Sequence, residues 1–230
     1  MKTTLITGAN RGIGLEFVRQ YAADDWRVFA CSRHPEKSGT LNALAARYPE
    51  QITVHTLDVA DHAQIDRLAS LLANESIDLL VNNAGIYTAT HKDDNIDYEA
   101  WAHAFLVNTM GPLKMTQVFA AQIARSNQKM IVTISSKMGS IGDNSGGGSY
   151  IYRSSKAAVN MVVKSLAIDL KPVGITAVVL HPGWVQTEMG GPNALISTTQ
   201  SVSGMRHVIS QLTLADSGKF LACDGQTIPW

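Results

Sequence analysis

The sequence predicts a doubly wound α/β fold, and three observations predict it. Short apolar runs rich in Val, Ile and Leu recur along the chain, from "TTLIT" at the start to "KFLACDG" near the end. Stretches of helical periodicity separate most of these runs. The first run stops at a turn with three closely spaced glycines. Nearly continuous apolar runs between helices are the pattern of parallel strands covered on both faces. Such sheets bind ligands outside the carboxyl ends of their strands.

The elements follow in order. Residues 3–7 (TTLIT) are rich in β-branched side chains and end at Gly8, as a strand should. A helix-length segment leads to residues 26–32 (WRVFACS), and residues 52–59 (ITVHTLDV) form the third run. Ala63–Ala73 has helical periodicity, and residues 77–85 (IDLLVNNAG) follow as the fourth strand. Residues 129–136 (KMIVTISS), a helix over Ser155–Leu170, residues 174–183 (GITAVVLHPG) and residues 219–225 (KFLACDG) complete the series. Between them lies "MGSIGDNSGGGS" (138–149), whose five glycines predict a flexible loop. No internal repeat or linker interrupts the chain, so residues 1–230 are expected to form a single domain.

Composition narrows the function. The 19 basic and 19 acidic side chains cancel, which removes the electrostatic footprint of a nucleic-acid or membrane-surface binder. No apolar run approaches the roughly 18 to 20 residues that span a bilayer. The start "MKTTLITGAN" runs into the first strand without a cleavage pattern, so a cytoplasmic protein is expected. Cys31 and Cys223 stand far apart in no motif, and no disulfide framework is expected. The seven histidines lack metal-ligand spacing, and no metal site is expected.

The turn "TGANRGIG" (7–14) carries glycines at the spacing G-x-x-x-G-x-G. Gly8 permits a tight turn off the strand, Gly12 lets backbone approach a pyrophosphate, and Gly14 allows close helix–strand packing. The helix that follows offers free N–H groups to an anion. This is the dinucleotide-binding signature of a Rossmann fold in variant form; the competing reading is a plain strand–turn–helix. At the end of the second run, "ACSRHP" has no carboxylate for a ribose 2′-hydroxyl. Arg33 and Arg11 suit a 2′-phosphate instead, the alternative being two solvated arginines.

Six motifs then appear in one order: "TGANRGIG", "NNAG" (82–85), Asn108 in "NTMGP", "ISS" (134–136), "YRSSK" (152–156) and "PGWVQT" (182–187). In this the chain resembles the main branch of the short-chain dehydrogenase/reductases, over essentially its whole length. The long glycine-rich loop and the ending "DGQTIPW" (224–230) are most similar to the sniffer-type carbonyl reductases and bacterial C-factor proteins. The resemblance implies an NADP(H)-dependent oxidoreductase acting on a small-molecule carbonyl or alcohol, with no nucleic-acid or membrane partner, assembled as a homodimer or homotetramer. A second implied reading is a nucleotide-bound regulatory or signalling protein with incidental turnover. The resemblance assigns Asn108, Ser136, Tyr152 and Lys156 to catalysis. It places Asp58 and Val59 at the adenine, the Asn83-Ala84-Gly85 backbone at the ribose, and Val185 and Thr187 at the carboxamide. Ile13, Pro182 and Gly183 complete the cofactor set, and Lys156 hydrogen-bonds the nicotinamide ribose. Asp58 as a turn former and Asn108 as a backbone-bonding helix residue remain open.

Spacing decides which tyrosine partners the lysine. Residues four apart lie about 40° apart on a helix, so Tyr152 and Lys156 share a face. Tyr150, six residues from Lys156, lies about 120° away and is read as a pocket-wall or packing aromatic. A free phenol has a pKa near 10, too high for efficient proton exchange at neutral pH. An ammonium about 5 Å away at an effective dielectric near 20 favours the phenolate by roughly 3 kcal/mol, or about two pKa units. Strand alternation turns Ser135 away and Ser136 toward the substrate oxygen. Sixteen positions separate Ser136 from Tyr152, about three more than in the main branch of the family, and the extra residues fall in the glycine-rich loop. That loop also resembles a phosphate cradle but lacks the following Lys-Ser/Thr. Tyr87, Met138, Tyr150, Trp184 and Met189 are candidates for an apolar pocket or for packing. Residues 138–149 and 188–204 are expected to be loosely ordered around it.

Overall fold

The computed structural model describes residues 1–88 and 95–230. Seven strands form one parallel sheet: β1 (Thr3–Thr7), β2 (Arg27–Ser32), β3 (Ile52–Thr56), β4 (Leu79–Asn82), β5 (Met130–Ile134), β6 (Thr176–His181) and β7 (Phe220–Ala222). Their order across the sheet is β3-β2-β1-β4-β5-β6-β7, which is the doubly wound arrangement. The order reverses between β1 and β4, and the connections that follow these two strands run to opposite sides, which opens a crevice.

Helices α1 (Gly12–Ala23), α2 (Gly39–Arg47), α3 (His62–Leu71), α4 (Tyr98–Phe105), α5 (Gly111–Ala124), α6 (Tyr150–Asp169) and α7 (Thr198–Gln211) cover both faces. Successive strand residues feed opposite layers, as the period of two requires. Leu5 joins Phe29, Ile65, Phe119 and Val163 on one side. Ile6 joins Phe17, Val28, Val81 and Met205 on the other. All five residues of β1 are buried, which accounts for the unbroken apolar run. No described helix is long and apolar enough to cross a membrane.

All seven predicted strands form, several of them shorter than expected. β3 stops at Thr56 because the next residues turn. There the Gln64 side chain accepts from the Asp58 N–H at 2.9 Å, and the Asp58 carboxylate accepts from the Ala60 N–H at 2.9 Å. Helix α6 starts at Tyr150, five residues before the predicted start at Ser155. Gly147, Gly148 and Ser149 all have positive φ, so the loop ends abruptly and the helix begins at once. The expectation of a loose segment over 188–204 is corrected for its second half only, since residues 198–204 are the start of α7. Ser197 and Gln200 form a capping box that starts α7, and Ser201 and Val202 inside it are fully buried.

Candidate active site

The site is assembled from the carboxyl ends of β1, β4, β5 and β6. Thr7 closes β1, and its hydroxyl accepts from the backbone N–H of both Asn83 and Ala84 at 3.0 Å. Asn83 returns the contact, its side-chain amide donating to the Thr7 carbonyl at 2.8 Å and the Gly8 carbonyl at 3.1 Å. The two strand ends are thereby tied across the switch point. A Cβ on Gly14 would lie 2.2 Å from the Gly8 oxygen, so only glycine lets α1 start this close to the strand. Gly12 adopts φ +55°, and a Cβ there would meet Thr187 at 3.3 Å, across the entrance to the α1 N-terminus. Ile13 follows in the first turn of α1.

A cleft of about 1020 Å³ opens from this turn. It is lined by Gly8, Arg11, Gly12, Ile13, Gly14, Arg33, Asp58, Val59, Asn83, Ala84, Gly85, Tyr152, Lys156, Pro182 and Thr187, all named from the sequence. Gly183 and Val185 stand just behind this wall. Gly183 has φ +84° and packs against Ile196, while Val185 is buried and pairs with Ile196. The Ser201 hydroxyl donates to the Pro182 carbonyl at 2.6 Å, anchoring the turn to α7.

Asn108 sits in a π-helical turn, Leu106–Met110, between α4 and α5. Its amide donates to the Ile86 carbonyl at 2.9 Å and the Ser155 hydroxyl at 3.0 Å, and its oxygen accepts from the Ile86 N–H at 2.8 Å. Both N–H groups are thus taken by the chain itself. Gly85 lies between Asn108 and Lys156, where a Cβ would come within 3.2 Å of the Asn108 oxygen and 3.4 Å of the Lys156 Nζ.

Tyr152 and Lys156 both point inward from α6 and are 8% and 5% exposed, while Tyr150 is 47% exposed on a different face. The Lys156 ammonium donates to the Ile134 carbonyl at 3.0 Å and lies 5.8 Å from the Tyr152 ring centre. Burial pushes the Lys156 pKa down to about 8. Burial also pushes the Tyr152 phenol up to about 12, opposed by a hydrogen bond to the Ser136 side chain. The expected depression of the phenol is therefore corrected for the protein alone. Desolvation is the largest cause, and the neighbouring Tyr87 phenol adds to it.

Ser136 begins a 3₁₀ turn, Lys137–Gly139, and its hydroxyl accepts from the Met138 N–H at 3.1 Å. Ser135 departs from expectation: it lines the cleft, and its buried hydroxyl has no partner among the described residues. β5 ends at Ile134, so strand alternation no longer governs the next residue. Tyr87 was noted only as a pocket candidate; its ring packs edge-on against Tyr152 at 4.9 Å.

At the far end of the cleft Arg33 has no ion-pair partner among the described residues, whereas Arg11 pairs with Glu188. Lys37 and Arg47 also line this arm and were missed. They come from a 3₁₀ turn and from the last turn of α2, and no motif spacing marks either.

The sequence matches the model of the short chain dehydrogenases over residues 2–195. It is 42% identical over 154 residues to the C-signal of Myxococcus xanthus, covering 67% of this chain and 93% of that one. The structure superposes on the NADPH-bound carbonyl reductase from chicken fatty liver with a TM-score of 0.93 and 35% identity, covering 100% of this chain and 99% of that one. The carbonyl reductase Sniffer of D. melanogaster gives a TM-score of 0.92 and 31% identity, with 100% of both chains covered.

Proposed function

The chain belongs to the short-chain dehydrogenase family, and on that premise we propose that it reduces carbonyl compounds with NADPH, using Tyr152 as the proton donor. The observation that carries this is that Tyr152 and Lys156 line one cleft with Arg33, while Ser136, outside the cleft lining, hydrogen-bonds the Tyr152 side chain. The cleft suits the cofactor: Gly8 and Gly14 let β1, β4 and the start of α1 pack closely, and the turn with Gly12 leaves the α1 N-terminus open to the cleft for a pyrophosphate. Ser135 offers an unpartnered hydroxyl in the same cleft. Superposition on an NADPH-bound relative supports the same choice.

The glycine turn, the α1 N-terminus and Arg33 would hold NADPH in the cleft, and the bound cofactor would supply a hydride for the carbonyl carbon. Tyr152 gives its phenolic proton to the carbonyl oxygen, completing the alcohol. Ser136 hydrogen-bonds that oxygen as negative charge develops, which is the form of stabilisation that favours the transition state. Lys156 keeps a positive charge beside the phenol and eases loss of its proton. Asn108 holds the Ile86 backbone and Ser155, and so fixes α6 against the strand end. A purely regulatory role, suggested by the likeness to C-signal, has less support because this set is intact.

A spectrophotometric screen of aldehydes, ketones and quinones against NADPH consumption tests the reading. Oxidation of NADPH with at least one carbonyl class is expected, and none across a broad panel refutes it. Cofactor choice makes a second expectation. Arg33→Ala should weaken NADPH about ten- to a hundredfold, from a charge-assisted bond of roughly 1.5 to 3 kcal/mol, and leave NADH nearly unchanged. The check is kcat/KM with both cofactors in both proteins. Equal loss for the two cofactors would make Arg33 an ordinary surface cation.

A further inference from the structure

The ending "DGQTIPW" has no part in the chemistry just described, yet its last residues reach the loop that carries Ser136. The backbone turns back along β7, with the Ile228 N–H donating to the Phe220 carbonyl at 2.8 Å and Leu221 bridging Thr227. Ile228 is buried, and the Trp230 ring packs on Phe220 at 5.6 Å with the Lys164 ammonium 6.0 Å away. Residues 227–230 are thereby seated on the sheet.

From that seat two main-chain oxygens face the catalytic loop. The Pro229 carbonyl accepts from the Ser140 hydroxyl at 2.5 Å, and the Trp230 main-chain oxygen accepts from the Gly142 N–H at 2.8 Å. Ser140 is buried and accepts in turn from the Asp143 N–H at 3.1 Å. The fit is close at 142, where a Cβ would lie 3.3 Å from the Trp230 oxygen.

The residues held this way continue into the active site. Gly139 lies directly on the catalytic helix, where a Cβ would be 2.8 Å from the Lys156 backbone. Its carbonyl accepts from Asn160 at 3.2 Å, and the Met138 carbonyl accepts from Arg153 at 3.2 Å. Beyond Gly142 come the exposed glycines 146 and 147, which make no such contact with the tail. The loop is therefore split into a half next to Ser136 that is bonded to residues 229–230 and a half next to Tyr150 whose hydrogen bonds are local.

We infer that Pro229 and Trp230 are positioning residues for the reaction: their main-chain oxygens fasten residues 140–142 and so set Ser136 against Tyr152 and Lys156. This rests on the carbonyl-reductase reading, but it makes one prediction that is independent of turnover. Displacing a catalytic group by about 1 Å costs up to about a hundredfold in rate.

The test uses the full chain beside Trp230→Ala, Trp230→Phe, Ser140→Ala and a deletion of residues 229–230, with a soluble ortho-quinone as probe. NADPH affinity and quinone KM should stay near wild type, while kcat falls about ten- to a hundredfold in the deletion and in Ser140→Ala. Trp230→Phe, which keeps an aromatic ring on Phe220, should recover most of the kcat lost in Trp230→Ala. Hydrogen exchange of the amides at 139–142 should quicken in the deletion, with those of α1 and β1 unchanged. Unaltered kcat in folded Ser140→Ala and in the deletion, while wild type turns over, overturns the inference and leaves the enzyme reading standing. If wild type does not reduce the quinone, unchanged exchange at 139–142 in the deletion overturns it, and quickened exchange confined to those amides supports the fastening.

Discussion

Tyr152→Phe should lower carbonyl reduction by at least about two to four orders of magnitude, the range of a lost general acid. NADPH should bind almost as it does to wild type. The substitution removes one oxygen and keeps the ring, so the edge-on packing against Tyr87 at 4.9 Å survives and the fold is undisturbed. The pH dependence has a defined sign. The phenol must be protonated to reduce a carbonyl, and in the protein alone burial holds its pKa up at about 12. Reduction should therefore hold through neutral pH and decline on the alkaline side, first as Lys156 gives up its charge above about 8 and only later as the phenol ionises. The measurement is kcat for reduction against pH, with cofactor affinity by fluorescence titration. Near wild-type turnover in the phenylalanine variant would remove Tyr152 from the chemistry.

Gly14→Ala should abolish cofactor binding and lower stability by about 1–3 kcal/mol or more. Its Cβ would stand 2.2 Å from the Gly8 oxygen and 2.5 Å from the Asn83 side-chain nitrogen. The oxygen belongs to backbone at the end of the central strand, and the nitrogen already donates to two carbonyls. Neither can yield without opening the tie between β1 and β4. Gly39→Ala is the control, because a Cβ there meets nothing within 4 Å and begins a helix. It should be neutral or stabilising by up to about 1 kcal/mol. Thermal unfolding and NADPH titration on both variants decide the matter. Equal melting temperatures would mean that the turn is looser than its geometry implies.

Much of this arrangement is legible in the amino acids, for identifiable reasons. The strands declare themselves because a parallel sheet buried on both faces needs unbroken apolar runs. Tyr152 is separable from Tyr150 because helical spacing is a rigid ruler, and the 8% and 47% exposures agree with it. What stayed hidden depends on where the chain turns. Ser135 enters the cleft because β5 stops one residue earlier. Lys37 and Arg47 meet Arg33 only through the path of a short turn and α2. Arg11 was read toward a phosphate, but its pairing with Glu188, far along the chain, follows from the fold alone. In the protein alone the Tyr152 shift has the opposite sign to the one the spacing predicts, because burial cannot be weighed from spacing.

Lys156 carries a thermodynamic consequence of its own. An amine whose pKa falls from 10.5 unfolded to about 8 folded holds its proton less tightly in the native state. The unfolded chain then binds more protons between those two values, so this group makes native stability rise with pH across that interval and costs most below it. The charged form is disfavoured by an amount on the order of 3 kcal/mol. Lys156→Met, which keeps the stem and discards the charge, should unfold at a higher temperature than wild type at pH 7 while losing turnover. Melting curves of the two proteins at neutral pH check this, and a lower melting point for the methionine variant would contradict it. The residue that makes the tyrosine useful is on this account a standing weakness in the fold, tolerated by a sheet whose central strands are buried along their whole length.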